Sequence, residues 1–209
     1  MATAAPFVAV LDYGAGNLRS ARRALDRAGA RVEVTADPAR AASADGLVVP
    51  GVGHFGQCVR ALRDQGFEAL LAQAAAQGRP VLGICVGMQI LYEHSEEADE
   101  PGLGLLPGAV RRLPDEVLVP HMGWNTLSRV RPDPLVDAVD GAYAYFVHSY
   151  APDAQGEHVL ATTRHGRDFA AVARSGSVAG TQFHPEKSAE VGRRVLAGWL
   201  ATVTTGAQP

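Results

Sequence analysis

Short apolar runs alternate with stretches of helical periodicity through the first half of the chain. Residues 7–11 are apolar throughout, and apolar residues then recur at helical spacing from Leu18 to Ala28. Asn17 is predicted to cap this helix and Gly29 to end it. Buried parallel strands joined by crossover helices produce this alternation. We therefore predict an α/β fold with a mostly parallel sheet.

The remaining elements follow from the same patterns. Strands are predicted at 32–34, 46–49 and 81–84, and a helical stretch over 56–77 is predicted to break at Gly66. A helical pattern also follows Cys85, over 88–92, and a final helix covers 189–200. From residue 109 onward the period changes toward two, so antiparallel hairpins are expected to join the sheet. Their strands are predicted at 109–113, 117–119, 143–150, 159–163, 169–173 and 178–183. No linker divides the chain, so we predict one domain over 1–209, with a frayed tail over about 204–209.

The charge and the cysteine content of the chain exclude several classes of function. The 19 basic and 22 acidic side chains are scattered and give a formal charge of -3, which argues against nucleic acid and anionic membranes as partners. The apolar run 7–11 stops at Asp12, too short for a signal or spanning segment, so we expect a cytoplasmic protein. Cys58 and Cys85 are expected to be thiols, with Cys58 serving helix packing. The histidines show no ligand spacing, so no metal site is predicted.

Cys85 lies in a pattern typical of a nucleophile. Gly83-Ile84-Cys85-Val86-Gly87 follows a predicted strand and precedes a helical pattern, and small residues on both sides permit the strained turn of a nucleophile elbow. A helix beginning there would stabilise a thiolate, and the Val86 N–H would be placed to hold an oxyanion. By itself, a cysteine between glycines is equally well explained as a small apolar residue in a crowded core.

The segment around His184 supplies the other two groups of a catalytic triad. His184, Pro185 and Glu186 follow the last predicted strand. In an extended segment residues two apart face the same side, so the Glu186 carboxylate would orient the His184 imidazole toward a thiol. Each residue alone is more simply a strand-end histidine or a surface carboxylate. Together with the elbow, they predict Cys85, His184 and Glu186 as catalytic residues.

With the segment Pro50-Gly51-Val52-Gly53, these motifs resemble those of the triad glutamine amidotransferases over almost the whole chain. The resemblance implies a three-layer, flavodoxin-like fold with an antiparallel extension, and a glutaminase that needs no cofactor. It further implies backbone oxyanion donors in the glycine loop and contacts to the glutamine substrate. The implied oxyanion residues are Gly51, Val52, Gly53 and Val86, and the implied substrate-binding residues are Gln89, Glu97, Ser149 and Tyr150.

Four islands, at 12–17, 50–55, 120–125 and 145–150, resemble more narrowly the glutaminase subunits of imidazole glycerol phosphate synthases. Val86 is the one departure, since these subunits more usually have leucine there. The resemblance implies a heterodimer with a (β/α)8 cyclase subunit, which receives ammonia through an internal passage. The cyclase converts phosphoribulosyl-formimino-aminoimidazole carboxamide ribonucleotide into imidazole glycerol phosphate and aminoimidazole carboxamide ribonucleotide, a step of histidine biosynthesis. The implied interface residues are Asn17, His121, Met122, Trp124 and Asn125.

Three other functions remain open from the residues alone. The triad would equally serve an amidotransferase subunit that makes anthranilate or a pyridoxal precursor. A partner-free cysteine hydrolase of γ-glutamyl or peptide bonds would use the same groups. A regulatory binding module on the same fold would not need the intact triad, and fold alone does not decide function.

Overall fold

A computed structural model describes residues 5–137 and 139–205 of the 209-residue chain, the last two as backbone only. Residues 206–209, most of the tail predicted to fray, lie outside this part. The helices within it are α1 (Leu18–Ala28), α2 (Pro38–Ala42), α3 (Phe55–Asp64), α4 (Phe67–Ala76), α5 (Val86–Gln89) and α6 (Ala189–Thr205). The strands are β1 (Phe7–Leu11), β2 (Arg31–Thr35), β3 (Gly46–Gly51), β4 (Val81–Cys85), β5 (His94–Ser95), β6 (Ala109–Arg112), β7 (His121–Thr126), β8 (Ser128–Arg129), β9 (Tyr143–His148), β10 (Tyr150–Pro152), β11 (Val159–His165), β12 (Arg167–Ser175) and β13 (Val178–Thr181).

An eight-stranded mixed sheet forms the centre of the molecule, in the order β2-β1-β3-β4-β13-β12-β11-β8. The first five strands are parallel, and the last three continue the sheet antiparallel. Strands β1, β3, β4 and β13 are buried along their whole length, as expected of parallel strands covered on both faces. The predicted α/β class, mostly parallel sheet and antiparallel extension are confirmed.

The order β2-β1-β3 places helices on both faces of this sheet. Crossovers between parallel strands are right-handed, so the connection from β1 to β2 and the connections from β2 onward lie on opposite faces. α1 accordingly packs against α6, whereas α4 packs against α2 and α3. The three-layer prediction is confirmed, and within the described residues no helix is long and apolar enough to cross a membrane.

Helix ends follow the predicted glycines. Gly29 ends α1 with a φ of 106°, and Gly66 separates α3 from α4 with a φ of 77°, values that favour glycine. Asn17 lies at the cap position of α1, but its side chain makes no capping hydrogen bond, so that part of the prediction is wrong. Asp37 caps the short helix α2, which the sequence patterns missed, by accepting from the Ala39 N–H at 2.9 Å.

Other differences concern the region between the sheet and the site. Residues 117–119 form no strand, whereas 121–126, expected to be a loop, form β7 and pair with β9 in a two-stranded ribbon. A second small sheet has the order β10-β6-β5. The helix after Cys85 is a single turn, α5, rather than a helix continuing through residue 92.

Candidate active site

Three adjacent parallel strands deliver the predicted catalytic segments to one edge of the sheet. Strand β3 leads into the glycine loop, β4 ends at Cys85, and β13 ends three residues before His184. The carboxyl ends of parallel strands are where open α/β sheets bind ligands. A cavity of about 300 Å³ lies at this edge. The predicted residues that line it are Val52, Gly53, Cys85, Val86, Gln89, Glu97, Ser149, Tyr150 and His184.

The turn at Cys85 is strained in the way the elbow motif predicts. Cys85 has a φ of 56°, a left-handed conformation that residues with side chains rarely adopt. A Cβ atom at Gly83 would lie 2.6 Å from the Gly87 carbonyl oxygen, and one at Gly87 would overlap the Val49 carbonyl oxygen. Gly51 is equally crowded, because a Cβ there would overlap the Gly87 nitrogen. Glycine at these positions is therefore required by close backbone packing.

His184 and Glu186 form a buried pair. The imidazole Nδ1 lies 2.8 Å from the Glu186 carboxylate, and the side chains are 3% and 2% exposed. The other ring nitrogen, Nε2, is buried and has no protein hydrogen-bond partner among the described residues. Burial opposes charge on the imidazole, but the neighbouring Cys85 sulfur and the hydrogen-bonded Glu186 carboxylate outweigh it and raise the pKa of His184 to about 9.

The backbone around His184 is fixed by Ser188. The Ser188 hydroxyl donates to the His184 carbonyl at 2.7 Å and accepts from the Tyr145 N–H at 2.9 Å. The His184 N–H in turn donates to the Tyr145 carbonyl at 3.0 Å. A short 3-10 turn, Pro185–Lys187, then returns Glu186 toward the imidazole. Strand β9 and the turn thus hold the histidine in place.

The Cys85 sulfur has two polar neighbours besides the imidazole. The Gln182 amide nitrogen lies 3.8 Å from it and the Val147 carbonyl oxygen 3.9 Å from it. Cys85 is almost completely buried from bulk solvent and faces the cavity. Gln182 was not among the predicted site residues, although it precedes the His184 motif by two positions.

Behind the glycine loop lie two further residues that sequence reasoning did not assign to the site. The Cys58 thiol of α3 is 3.4 Å from the Val52 carbonyl oxygen, and the Tyr13 hydroxyl donates to the Pro50 carbonyl. Burial raises the pKa of Cys58 to about 11 and that of Tyr13 well above its ordinary value. Both therefore remain neutral donors at neutral pH. Cys58 is packed in the core as predicted and also anchors the loop.

The predicted substrate-binding residues surround the cavity. Glu97 accepts from the Phe55 N–H at 2.7 Å, which fixes its carboxylate at the beginning of α3. The Gln89 amide nitrogen donates to the Tyr150 carbonyl at 2.7 Å, and Ser149 is half-buried beside it. These four residues, from three segments of the chain, thus line the same cavity.

The predicted interface residues divide into exposed and buried ones. Met122 and Trp124 of β7 are 66% and 53% exposed, whereas Asn17 and Asn125 are half-buried. His121 is only 5% exposed, because its ring stacks between Phe146 and His165. Its side chain is therefore buried in this chain, and its membership of the interface stays a prediction.

Comparison with known proteins gives a family match over most of the chain. The family model for class-I glutamine amidotransferases matches residues 9–200. An imidazole glycerol phosphate synthase subunit HisH from Halobacterium salinarum is 50% identical over 204 residues, covering 92% of each chain. The subunit of the same name from Mycobacterium tuberculosis is 50% identical over 199 residues, covering 92% of this chain and 96% of its own.

Solved structures agree with the fold. A glutamine amidotransferase crystal structure superposes with a TM-score of 0.75 at 23% identity, covering 94% of this chain and 98% of its own. The structure of PurLQS from Thermotoga maritima gives a TM-score of 0.75 at 22% identity, with the same two coverages. At these identities the likeness bears on the fold alone, and the predicted amidotransferase fold is confirmed.

Proposed function

The chain belongs to the class-I glutamine amidotransferase family, and on that premise we propose that it hydrolyses glutamine to glutamate and ammonia as the glutaminase subunit of an imidazole glycerol phosphate synthase. The observation that carries the proposal is that Cys85 and His184 line one cavity and that the buried Glu186 carboxylate is hydrogen-bonded to His184. The carboxylate occupies Nδ1 of the imidazole, so Nε2 is left to exchange protons with the thiol and the leaving group.

In the first half-reaction, the Cys85 thiolate attacks the side-chain amide carbon of glutamine. A C–S bond forms, and the amide oxygen becomes an oxyanion that the Val52 and Val86 backbone N–H groups stabilise. Protonated His184 then donates its proton to the leaving nitrogen, the C–N bond breaks, and ammonia departs. The raised pKa of His184, about 9, keeps the imidazole charged and ready for this transfer at neutral pH.

In the second half-reaction, water attacks the glutamyl thioester while His184 accepts its proton. The C–S bond breaks, glutamate leaves, and the thiolate and imidazolium are regenerated. Glu97, Ser149 and Tyr150 hold the glutamine head group, and Gln89 borders its side chain. Their position on the cavity wall supports these assignments.

We propose that the ammonia passes to a (β/α)8 cyclase subunit, which uses it to make imidazole glycerol phosphate in histidine biosynthesis. The matched relatives bear the name of subunits of that synthase. The exposed Met122 and Trp124 of β7 supply an apolar edge of the kind that protein interfaces use. We propose that Asn17 and Asn125 also contact the cyclase, since both are partly exposed. A cytoplasmic location suits a mechanism that requires free thiols, and both cysteines are free here.

The test measures glutamate release by the chain mixed with the cyclase and its nucleotide substrate. Cys85→Ala should abolish release, because no other described group replaces the thiol. His184→Asn should lower kcat at least a hundredfold, whereas His94→Asn, on an exposed strand, should leave it within about twofold. Glutamate release that survives in Cys85→Ala would refute the proposal. Hydrolysis of γ-glutamyl peptides in the absence of the cyclase would instead favour the partner-free hydrolase.

A further inference from the structure

Gln182 occupies a position next to the nucleophile that the proposed mechanism does not use. It lies between β13 and His184, is completely buried, and its backbone N–H donates to the Ala171 carbonyl at 2.9 Å. Its side-chain nitrogen faces the Cys85 sulfur at 3.8 Å. A buried amide needs partners for both ends, so its neighbours determine which end faces the sulfur.

The neighbours of Gln182 fix the direction of its amide. The Tyr150 carbonyl only accepts hydrogen bonds, so the Gln89 group 2.7 Å from it must be the NH₂. The same NH₂ lies 3.0 Å from the other end of the Gln182 amide, which must therefore be its carbonyl oxygen. The Gln182 NH₂ is thus left for the sulfur. Reversing the Gln182 amide would place two NH₂ groups against each other.

The Tyr150 carbonyl is itself anchored by a second directed chain. His148 Nδ1 lies 2.9 Å from it and must donate, so the neutral ring presents Nε2 as an acceptor to His121 Nδ1 at 3.3 Å. His121 Nε2 then accepts from the Asn125 NH₂ at 3.2 Å, which also donates to the Arg164 carbonyl at 2.9 Å. Every donor and acceptor in this chain has one consistent role. The Tyr150 carbonyl that accepts from Gln89 is thus itself held by the His148 side chain.

The helix that follows Cys85 is only one turn long, so its N-terminus stabilises a thiolate less than the N-terminus of a longer helix would. The Val147 carbonyl on the other side favours a protonated thiol, because it accepts from S–H and repels a thiolate. An N–H donor favours the charged form instead.

We infer that Gln182 donates an amide N–H to the Cys85 sulfur and favours its thiolate form, in an orientation imposed by Gln89. This inference rests on the proposed role of Cys85 as the nucleophile. It assigns Gln182 a direct contact with the reacting atom and assigns Gln89 a positioning role, in addition to bordering the substrate.

The test is the pH dependence of alkylation of the isolated chain by iodoacetamide, which reacts with the thiolate. Mass spectrometry of the Cys85 peptide separates this signal from Cys58. Gln182→Met removes the donor at similar volume, and we expect the midpoint of the Cys85 profile to rise by about one pH unit. The rate below the midpoint should fall about tenfold. Gln182→Asn keeps an amide in the core but withdraws it by one methylene, and should shift the profile in the same direction.

Gln73→Met on the exposed face of α4 is the matched control and should leave the profile unchanged. Gln89→Met should shift the midpoint less than Gln182→Met does, because the donor remains but loses its fixed direction. Identical profiles in wild type and both Gln182 variants would overturn the inference. The assay needs neither glutamine nor the cyclase, so failure of glutamate release would refute the proposed function separately.

Discussion

Glu186→Gln is the substitution that tests the electrostatics of the triad most directly. The His184 pKa of about 9 against an ordinary value of 6.5 corresponds to about 3 kcal/mol of net preference for the charged ring. The neighbouring Cys85 sulfur and the hydrogen-bonded Glu186 carboxylate overcome the opposing effect of burial. Because both members of the His184–Glu186 pair are buried, solvent screens this preference little. The Glu186 carboxylate contributes to this preference through both its hydrogen bond and its charge.

The glutamine in Glu186→Gln removes the negative charge at this position while keeping the shape of the side chain. Its carbonyl oxygen can still accept from His184 Nδ1, and its NH₂ replaces a carboxylate oxygen that has no protein hydrogen-bond partner among the described residues. The imidazole therefore keeps its orientation but loses the neighbouring negative charge. We expect kcat/KM for glutamine to fall roughly tenfold at neutral pH, in the complex with the cyclase.

NMR titration of His184 supplies the independent measurement. In a Cys85→Ala background, where the thiol no longer contributes, the additional Glu186→Gln change should place the His184 pKa roughly one pH unit lower. Glu157→Gln, at an exposed turn, is the matched control and should change neither quantity. If Glu186→Gln leaves the His184 pKa unchanged and kcat/KM within a factor of two, the carboxylate does not stabilise the imidazolium. That result would refute the reasoning.

Three further changes test other parts of the molecule. Gly87→Ala should lower the free energy of unfolding by about 1–3 kcal/mol in urea titrations, because its Cβ would overlap the Val49 carbonyl; an unchanged midpoint would contradict the close packing of the elbow. Trp124→Ala should raise the Kd for the cyclase about thirtyfold by calorimetry with little effect on unfolding, and an unchanged Kd would remove this residue from the interface. Burial, with the neighbouring histidines, lowers the pKa of His148 to about 3 and that of His121 to about 4, so the unfolded chain binds more protons below pH 6.5. Stability should then fall from pH 6.5 to 4 with a slope up to about 1.4 kcal/mol per pH unit for each ring, and a slope that does not lessen in His148→Gln would contradict this assignment.

The turn at Cys85 and the His184–Glu186 pair were predictable because their geometry is dictated locally. Cys85 can adopt its strained turn only where the flanking backbone packs without side chains. The sequence therefore shows this turn by the glycines at positions 83 and 87. His184 and Glu186 are two residues apart, and the pairing needs no information from elsewhere. Uninterrupted apolar runs likewise identified the central parallel strands.

The two-stranded ribbon was missed because its residues carry no strand pattern of their own. His121–Thr126 contains glycine and asparagine, and its apolar alternation is limited to Met122 and Trp124, which are both exposed, so it becomes a strand only by pairing with β9. The opposite error occurred at 117–119, where an apolar triplet has no strand to pair with and Leu118 is 87% exposed. Pairing partners distant in sequence decide both cases, and local composition does not report them.

The hydrogen-bond partners and directions at the site also could not be predicted from the sequence. Gln182 was visible beside His184, but its contact with Cys85 depends on the register between β13 and β4, which places Thr181 opposite Ile84. The role of Cys58 similarly depends on where α3 passes the glycine loop. Such contacts follow from the arrangement of whole elements rather than from any motif.

The pairing of β7 with β9 also places the proposed docking edge one strand from the chemistry. Met122 pairs with Val147, and the Val147 carbonyl is the acceptor that faces the Cys85 sulfur. A partner that contacts the exposed side chains of β7 therefore binds the strand next to β9. Strand β9 carries the Val147 carbonyl, which favours the protonated form of the Cys85 thiol. Because ladder hydrogen bonds keep the two strands in register, a displacement of β7 carries β9 with it. The β7–β9 pairing thus joins the proposed interface to the strand whose Val147 carbonyl contacts the Cys85 sulfur.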